Sequence, residues 1–201
     1  EYLETLRGDV WIEALTQKGT IGLLYHREAL GIHQVKNSQE GVIDHFERIA
    51  PEVFLSKYMG KAIGCMGCSI RCRRYSRLSG GSYGPALVRG PEYVTTNALA
   101  MKPAITDPEA VIKANGLCDL LGLDAEATGS VAGLAMELFQ RGIINRKATG
   151  GLELHFGDAK GLLELIPMIA HRTGFGDELA EGSKRFAEKY GASYYANTIK
   201  G

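Results

Sequence analysis

A mainly α-helical domain with irregular loops and little strand is the fold class this sequence predicts, and three observations predict it. Helix-start and helix-stop residues recur with apolar residues at helical spacing between them, no sustained series of alternating strands is present, and no internal repeat divides the chain. At 201 residues, 45% hydrophobic and 23% charged, the chain is long enough for one sizeable core and ordinary in composition for a globular domain.

Taken in order, residues 10–17 read as a first helix, residues 31–39 as loop and residues 41–49 as a second helix. Residues 78–90 hold Gly80, Gly81, Gly84, Gly90 and Pro85 with little apolar pattern, which predicts an irregular loop long enough to have a purpose. Asp107-Pro108-Glu109 is the sharpest helix start: Asp can cap, Pro fits the first helical position, and Glu suits the positive end of the dipole. That helix runs to about Asp119 and offers Val111, Ile112, Leu117 and Cys118 to a core. Gly122 stops it, and Asp124 caps a helix carrying Val131, Leu134, Ala135, Leu138 and Phe139 and ending at Gly142. Residues 152–156 alternate and predict a short extended piece. Residues 162–172 form a helix with an apolar face of Leu162, Leu165, Ile166 and Ile169, and Asp177 caps a last one that closes at Gly191.

Formal net charge is zero, so the chain carries no electrostatic footprint for nucleic acid or an anionic membrane. No apolar run approaches the roughly 18 residues a membrane span needs, and Glu1-Tyr2-Leu3-Glu4 is no export leader. Only four cysteines occur, three of them crowded together, which argues against a disulfide framework and for a reducing cytoplasm. The chain has no initiator Met and stops at Ile199-Lys200-Gly201, so it reads as a segment of something longer.

The chemistry starts at Cys65, Cys68 and Cys72. Thiolates spaced C-x2-C-x3-C can close on one face of an iron-sulfur cube, the fourth ligand coming from elsewhere. A zinc site is the rival: it needs a distant second Cys or His pair, and only the first half is met. Radical enzymes that cleave S-adenosylmethionine usually place the gaps in the opposite order. Arg71, Arg73, Arg74 and Arg77 lie against these cysteines, as a solvated basic turn or as a patch that lowers thiolate pKa or docks an acidic partner. Cys118, inside a helical pattern, reads as a packed core thiol.

Two further segments carry interest. Gly90-Pro91-Glu92-Tyr93 sets a carboxylate after a rigid turn, which by itself is also an ordinary helix start. Asp119-Leu120-Leu121-Gly122-Leu123-Asp124 joins one helix to the next and points first-turn N–H groups forward, as a polar-ligand site or as a plain cap. Its carboxylates can accept hydrogen bonds from the ring or amino N–H groups of a pterin. His26, His33, His45, His155 and His171 show no metal-ligand spacing and read as surface or satisfied polar residues; Trp11 and the tyrosines read as packing.

In this order, the cysteine run after Ala62-Ile63-Gly64, the Gly-Pro-Glu-Tyr turn and the Asp-x-x-Gly-Leu-Asp junction resemble the middle domain of the tungsten-dependent aldehyde ferredoxin oxidoreductase family. Gly19-Thr20, residues 37–41 and Phe156-Gly157-Asp158 are smaller echoes, so the likeness spans most of residues 1–201. The resemblance implies a helical middle domain in a larger enzyme with an N-terminal β domain and a second helical domain. It implies tungsten, or molybdenum, held by two pterins, with a [4Fe-4S] cluster beside one pterin passing electrons to ferredoxin.

Carried over by residue, Cys65, Cys68 and Cys72 would hold the cluster. Asp119, Leu123 and Asp124 would contact one pterin, Leu123 through its backbone, and Glu92 would transfer a proton during aldehyde oxidation. The fourth cluster cysteine belongs to a second, Asp-x-x-Gly-Leu-Cys copy beyond this chain, and the other pterin contacts belong to the N-terminal domain. A Glu-x-x-His pattern that binds a bridging iron in some members does not occur.

The expected function is therefore an enzyme segment that oxidises an aldehyde to a carboxylic acid. Its expected partners are ferredoxin, a small aldehyde and flanking domains of the same polypeptide, with a second copy of itself as a further candidate. The alternatives are a non-catalytic [4Fe-4S] electron-transfer module and a reductase of an aromatic acyl thioester.

Overall fold

The computed structural model describes residues 2–199; Glu1, Lys200 and Gly201 lie outside the described residues. Along the chain come α1 (Tyr2–Arg7), α2 (Val10–Lys18), a 3-10 turn (Thr20–Gly22), α3 (Leu23–Leu30), a short turn α4 (Val35–Ser38) and α5 (Pro51–Lys57). Three strands follow: β1 (Met59–Ile63), β2 (Arg73–Leu78) and β3 (Ala86–Arg89). The rest is helical: α6 (Tyr93–Thr96) runs into a wider π-helical turn (Asn97–Met101), then come α7 (Pro108–Leu121), α8 (Ala125–Gln140), α9 (Ala159–His171), α10 (Phe175–Leu179) and α11 (Gly182–Lys189). The fold is mainly α, as the sequence predicts.

The central helices form where their capping residues say they should. Asp107 accepts from the N–H groups of Glu109 and Ala110, Pro108 opens α7, and left-handed Gly122 closes it. Asp124 accepts from Ala127 N at 2.7 Å to open α8, and Asp158 does the same for α9 through Gly161 N at 3.0 Å. Helix α8 is buried along most of its length, from Thr128 through Leu138. It can press against the π-helical turn because Gly129 has no side chain: a Cβ there would stand 2.2 Å from the Ala98 carbonyl oxygen. Leu99, Met101, Ile112, Leu134, Met136 and Leu138 fill this core.

The sheet runs in the order β1-β2-β3, antiparallel throughout. Ile63 pairs with Arg73 and Ala62 with Arg74, a bulge separates Ala62 from Met59, and Ser76 pairs with Val88. Residues 78–90 are thus not one irregular loop, since Ala86–Arg89 pair with β2. Asn115 of α7 donates to Arg89 O at 2.7 Å, and Gly116 lets that helix approach Val88 closely enough that a Cβ would meet Cγ1 at 2.5 Å.

Other expectations fail for local reasons. Residues 41–49 are not a helix: Gly41 lies against Gly31, its carbonyl takes the His33 N–H at 3.0 Å, and only Phe46–Arg48 form a 3-10 turn. The helix here is α5, opened by Pro51. Asp177 does not cap the last helix; it sits inside α10, accepting from Arg172 Nε at 2.7 Å, and the chain breaks again at Gly182. His33 is buried, so it is not a surface residue; its Nε2 lies 3.5 Å from Glu28 Oε2. Burial pushes its pKa down, offset in part by the neighbouring Leu24 backbone and Asn97 side chain. Trp11 is 60% exposed rather than packed, and no residue of α1 or α2 is buried. No helix among the described residues is long and apolar enough to cross a membrane.

Candidate functional site

The three clustered cysteines occupy the connection between β1 and β2, residues 64–72, whose ends are pinned where Ile63 pairs with Arg73. Within it Cys68 N donates to Cys65 O at 3.0 Å, and Gly67 and Arg71 take left-handed conformations. Cys65 is exposed, Cys68 and Cys72 are half-buried, and all three thiols are free. The backbone N–H groups of Ile70 and Arg71 point at the Cys68 sulfur and push its pKa down, which favours the thiolate. Burial pushes the Cys72 thiol up, and the nearby charges of Glu92 and Cys68 push the same way.

Arg74 fixes this loop. It is 7% exposed and spends its guanidinium on four backbone carbonyls: Arg71 O and Arg73 O at 3.2 and 3.1 Å, and Thr16 O and Gln17 O at 2.7 and 2.8 Å. The first two belong to the cysteine loop and its exit, the last two to the final turn of α2, where carbonyls lack helical partners and the dipole favours a cation. Gly19, at φ 73°, follows that helix end; a Cβ on it would stand 2.6 Å from Cys72 O.

Glu92 stands where α6 begins, after the cis Gly90–Pro91 bond. Its Oε2 accepts a hydrogen bond from the Thr20 hydroxyl, and its Oε1 lies 3.9 Å from Arg73 Nε. Thr20 Oγ1 in turn accepts from Tyr93 N at 3.1 Å. A cleft of about 450 Å³ opens in front of Glu92, lined by Arg73, Arg89, Glu92, Thr95, Asn115 and Asp119. The fold thus brings Glu92 and Asp119 to one cavity, beside the residue that follows Cys72.

Leu123 and Asp124 are not among the residues lining that cleft. Leu123 N is used by Cys118 O at 2.9 Å and its side chain packs on the core, while exposed Asp124 caps α8. Any backbone contact from Leu123 to a ligand therefore falls to its carbonyl. Cys118 is 1% exposed, and burial pushes its thiol up to about 11, the state of an inert core residue. Sequence reasoning did not single out Thr20, Arg74, Arg89 or Asn115 as parts of one site. Arg74 was legible only as one of four arginines, and Thr20 is 72 residues from its partner Glu92.

Among the described residues no three His, Cys, Asp or Glu side chains are arranged to hold a single metal ion. Ligands of a four-iron cube each reach a different iron, so they stand further apart than the ligands of one ion. The loop offers three free thiols, one of them turned toward backbone N–H donors that favour its thiolate.

Residues 2–201 match the family model described as aldehyde ferredoxin oxidoreductase, domains 2 and 3. The whole chain aligns with a tungsten-containing aldehyde ferredoxin oxidoreductase of Pyrococcus furiosus at 37% identity and with one of Thermococcus kodakarensis at 34%, covering 33% of each. A WOR-like subunit of an aliphatic sulfonate oxidoreductase from Pyrococcus furiosus is 33% identical over 77% of this chain and 25% of its own length. Among solved structures, the active-site complex BamBC of benzoyl coenzyme A reductase with 1,5-dienoyl-CoA is similar with a TM-score of 0.63 and 26% identity, covering 76% of this chain and 22% of that one. The chain spans about a third of the length of the tungsten-containing relatives it matches. On the family model and on identity along its whole length, this chain belongs to the aldehyde ferredoxin oxidoreductase family.

Proposed function

We propose that this chain is the helical middle part of a tungsten bis-pterin oxidoreductase. It converts an aldehyde and water into a carboxylic acid, releasing two protons and two electrons, and the electrons leave through a [4Fe-4S] cluster to ferredoxin. One observation carries the reading: Glu92, Asp119 and Arg73, the neighbour of Cys72, line the same cleft. The names of the whole-chain relatives favour tungsten over molybdenum.

In this reading Cys65, Cys68 and Cys72 supply three cluster thiolates, and the N–H groups aimed at Cys68 stabilise its charge. Asp119 accepts pterin N–H groups from the cleft wall, with Leu123 and Asp124 contacting the same pterin at the start of α8. Glu92 takes the proton released when water adds to the aldehyde carbon, with Oε2 held by Thr20 and Oε1 3.9 Å from Arg73 Nε. When bound, the tungsten cofactor supplies the two-electron chemistry; this chain supplies position, proton transfer and the electron exit.

Elemental and pterin analysis of the protein purified without oxygen tests the reading. Tungsten, pterin and about four irons with matching sulfide are expected. Iron and sulfide with neither tungsten, molybdenum nor pterin would make it an electron-transfer module, and zinc without visible absorption would overturn both. Asp124 needs a variant that separates its two jobs, because Ala would also remove the cap at a cost of about 1 kcal/mol. Asp124→Ser keeps a capping oxygen and removes the carboxylate; pterin and tungsten content should fall while the unfolding midpoint stays put.

The likeness to the benzoyl coenzyme A reductase complex favours one second reading, reduction of an aromatic acyl thioester on the same scaffold. Assaying the purified protein with benzoyl-CoA and a strong reductant, beside acetaldehyde and a viologen dye as acceptor, distinguishes the two.

A further inference from the structure

We infer that Thr20 is a positioning residue for Glu92, a role that rests on the proton-transfer part assigned above to that carboxylate. The hydroxyl has one proton to give and lone pairs to receive. Tyr93 N–H occupies a lone pair at 3.1 Å, and the hydroxyl donates its proton to Glu92 Oε2. One side chain thereby holds the carboxylate and the backbone amide of the next residue at once, fixing both ends of the Glu92 side chain relative to α6.

Thr20 can do this because it is itself held. Its 3-10 turn follows Gly19, pressed on Cys72 O, and the α2 carbonyls just before it, Thr16 O and Gln17 O, are gripped by buried Arg74. The β-branch of Thr restricts rotation about χ1, so the hydroxyl keeps its direction. The alternative partner for Glu92 stands ready: Arg73 Nε is 3.9 Å from Oε1, and that side chain is 44% exposed. Released from Thr20, the carboxylate can turn and close on the guanidinium in a forked ion pair, which ties up both of its oxygens at the cleft wall. Thr20 therefore decides which of two neighbours orients the proton-transfer group.

The test uses the metal-loaded enzyme, purified without oxygen and assayed with acetaldehyde and a viologen dye. Thr20→Val is nearly isosteric and should lower kcat by about tenfold or more with KM within about twofold. Tungsten and iron content should match the parent, and amide exchange at Tyr93 should quicken because its acceptor is gone. Thr20→Ser should restore kcat to within about twofold and slow that exchange again. In a Glu92→Gln background, Thr20→Val should add little, since both changes disable one unit. Glu92→Gln losing turnover while Thr20→Val keeps it would overturn this inference alone. Glu92→Gln keeping turnover would overturn the proton-transfer reading and this inference with it. Loss of tungsten or iron from Thr20→Val, or a deficit that Ser does not repair, would make the hydroxyl merely structural and also overturn it.

Discussion

Glu92→Gln should lower kcat for aldehyde oxidation by about 10²- to 10⁴-fold, the range expected when a positioned proton-transfer group is lost, with tungsten, iron and sulfide content unchanged. The amide is close in size to the carboxylate and can still accept from Thr20, so the fold around α6 should survive. What it cannot do is bind a released proton. Because the side chain lines the cleft without belonging to the core, KM should move little compared with kcat, the pattern of an interaction made mainly in the transition state. Steady-state kinetics on the metal-loaded protein check this directly. A Gln variant that turns over at the parent rate would remove Glu92 from the reaction and leave it as the residue that precedes a helix.

Arg74→Met should cost about 3 kcal/mol or more of stability and strip the cysteine loop of iron. The substitution keeps an unbranched apolar stem and deletes the guanidinium, leaving the carbonyls of Thr16, Gln17, Arg71 and Arg73 without their donor. Hydrogen bonds from a charged donor contribute about 1.5–3 kcal/mol each, and orphaning buried acceptors carries its own penalty, so even a strongly non-additive sum is large. Denaturant titration of the purified protein measures the stability loss, and iron per chain reports the loop. Arg74→Lys should fall between the two, because an ammonium supplies the charge but not the planar fork. A loss under about 1 kcal/mol with full iron content would mean that the loop is held by something else.

How much of this was legible in the sequence depends on where the determining contacts lie. Helices α7 and α8 could be read because their signals are local: Asp107 and Asp124 are caps that act within three residues, and Gly122 ends α7 by its own backbone conformation; α9 was marked by its apolar face, while its cap, Asp158, opens it three residues before the expected start at Leu162. Strand β2 was invisible because its inward positions include Arg74 and Ser76 alongside Leu78, so no apolar alternation marks it. Those polar residues are admitted inside by distant partners, Arg74 by the α2 carbonyls and Ser76 by the Gly90 carbonyl. Residues 41–49 carry buried Ile43 and Ile49 yet form no α-helix, the Gly41 carbonyl being paired with the His33 N–H instead. The site divides the same way. The cysteines could be picked out from spacing and the contiguous Asp119–Asp124 turn from the family resemblance, whereas the grouping of Glu92 with Thr20, Arg73 and Asp119 exists only after folding.

The exposure of the first two helices has a mechanical consequence. Neither α1 nor α2 buries a side chain, and together they offer Tyr2, Leu3, Val10 and Trp11 to solvent, while the trailing end of α2 is bolted to the cysteine loop and leads straight into Thr20. The trailing end of α2 is thereby coupled to the cysteine loop through Arg74 and to Glu92 through Thr20, so a displacement of that helix end reaches both.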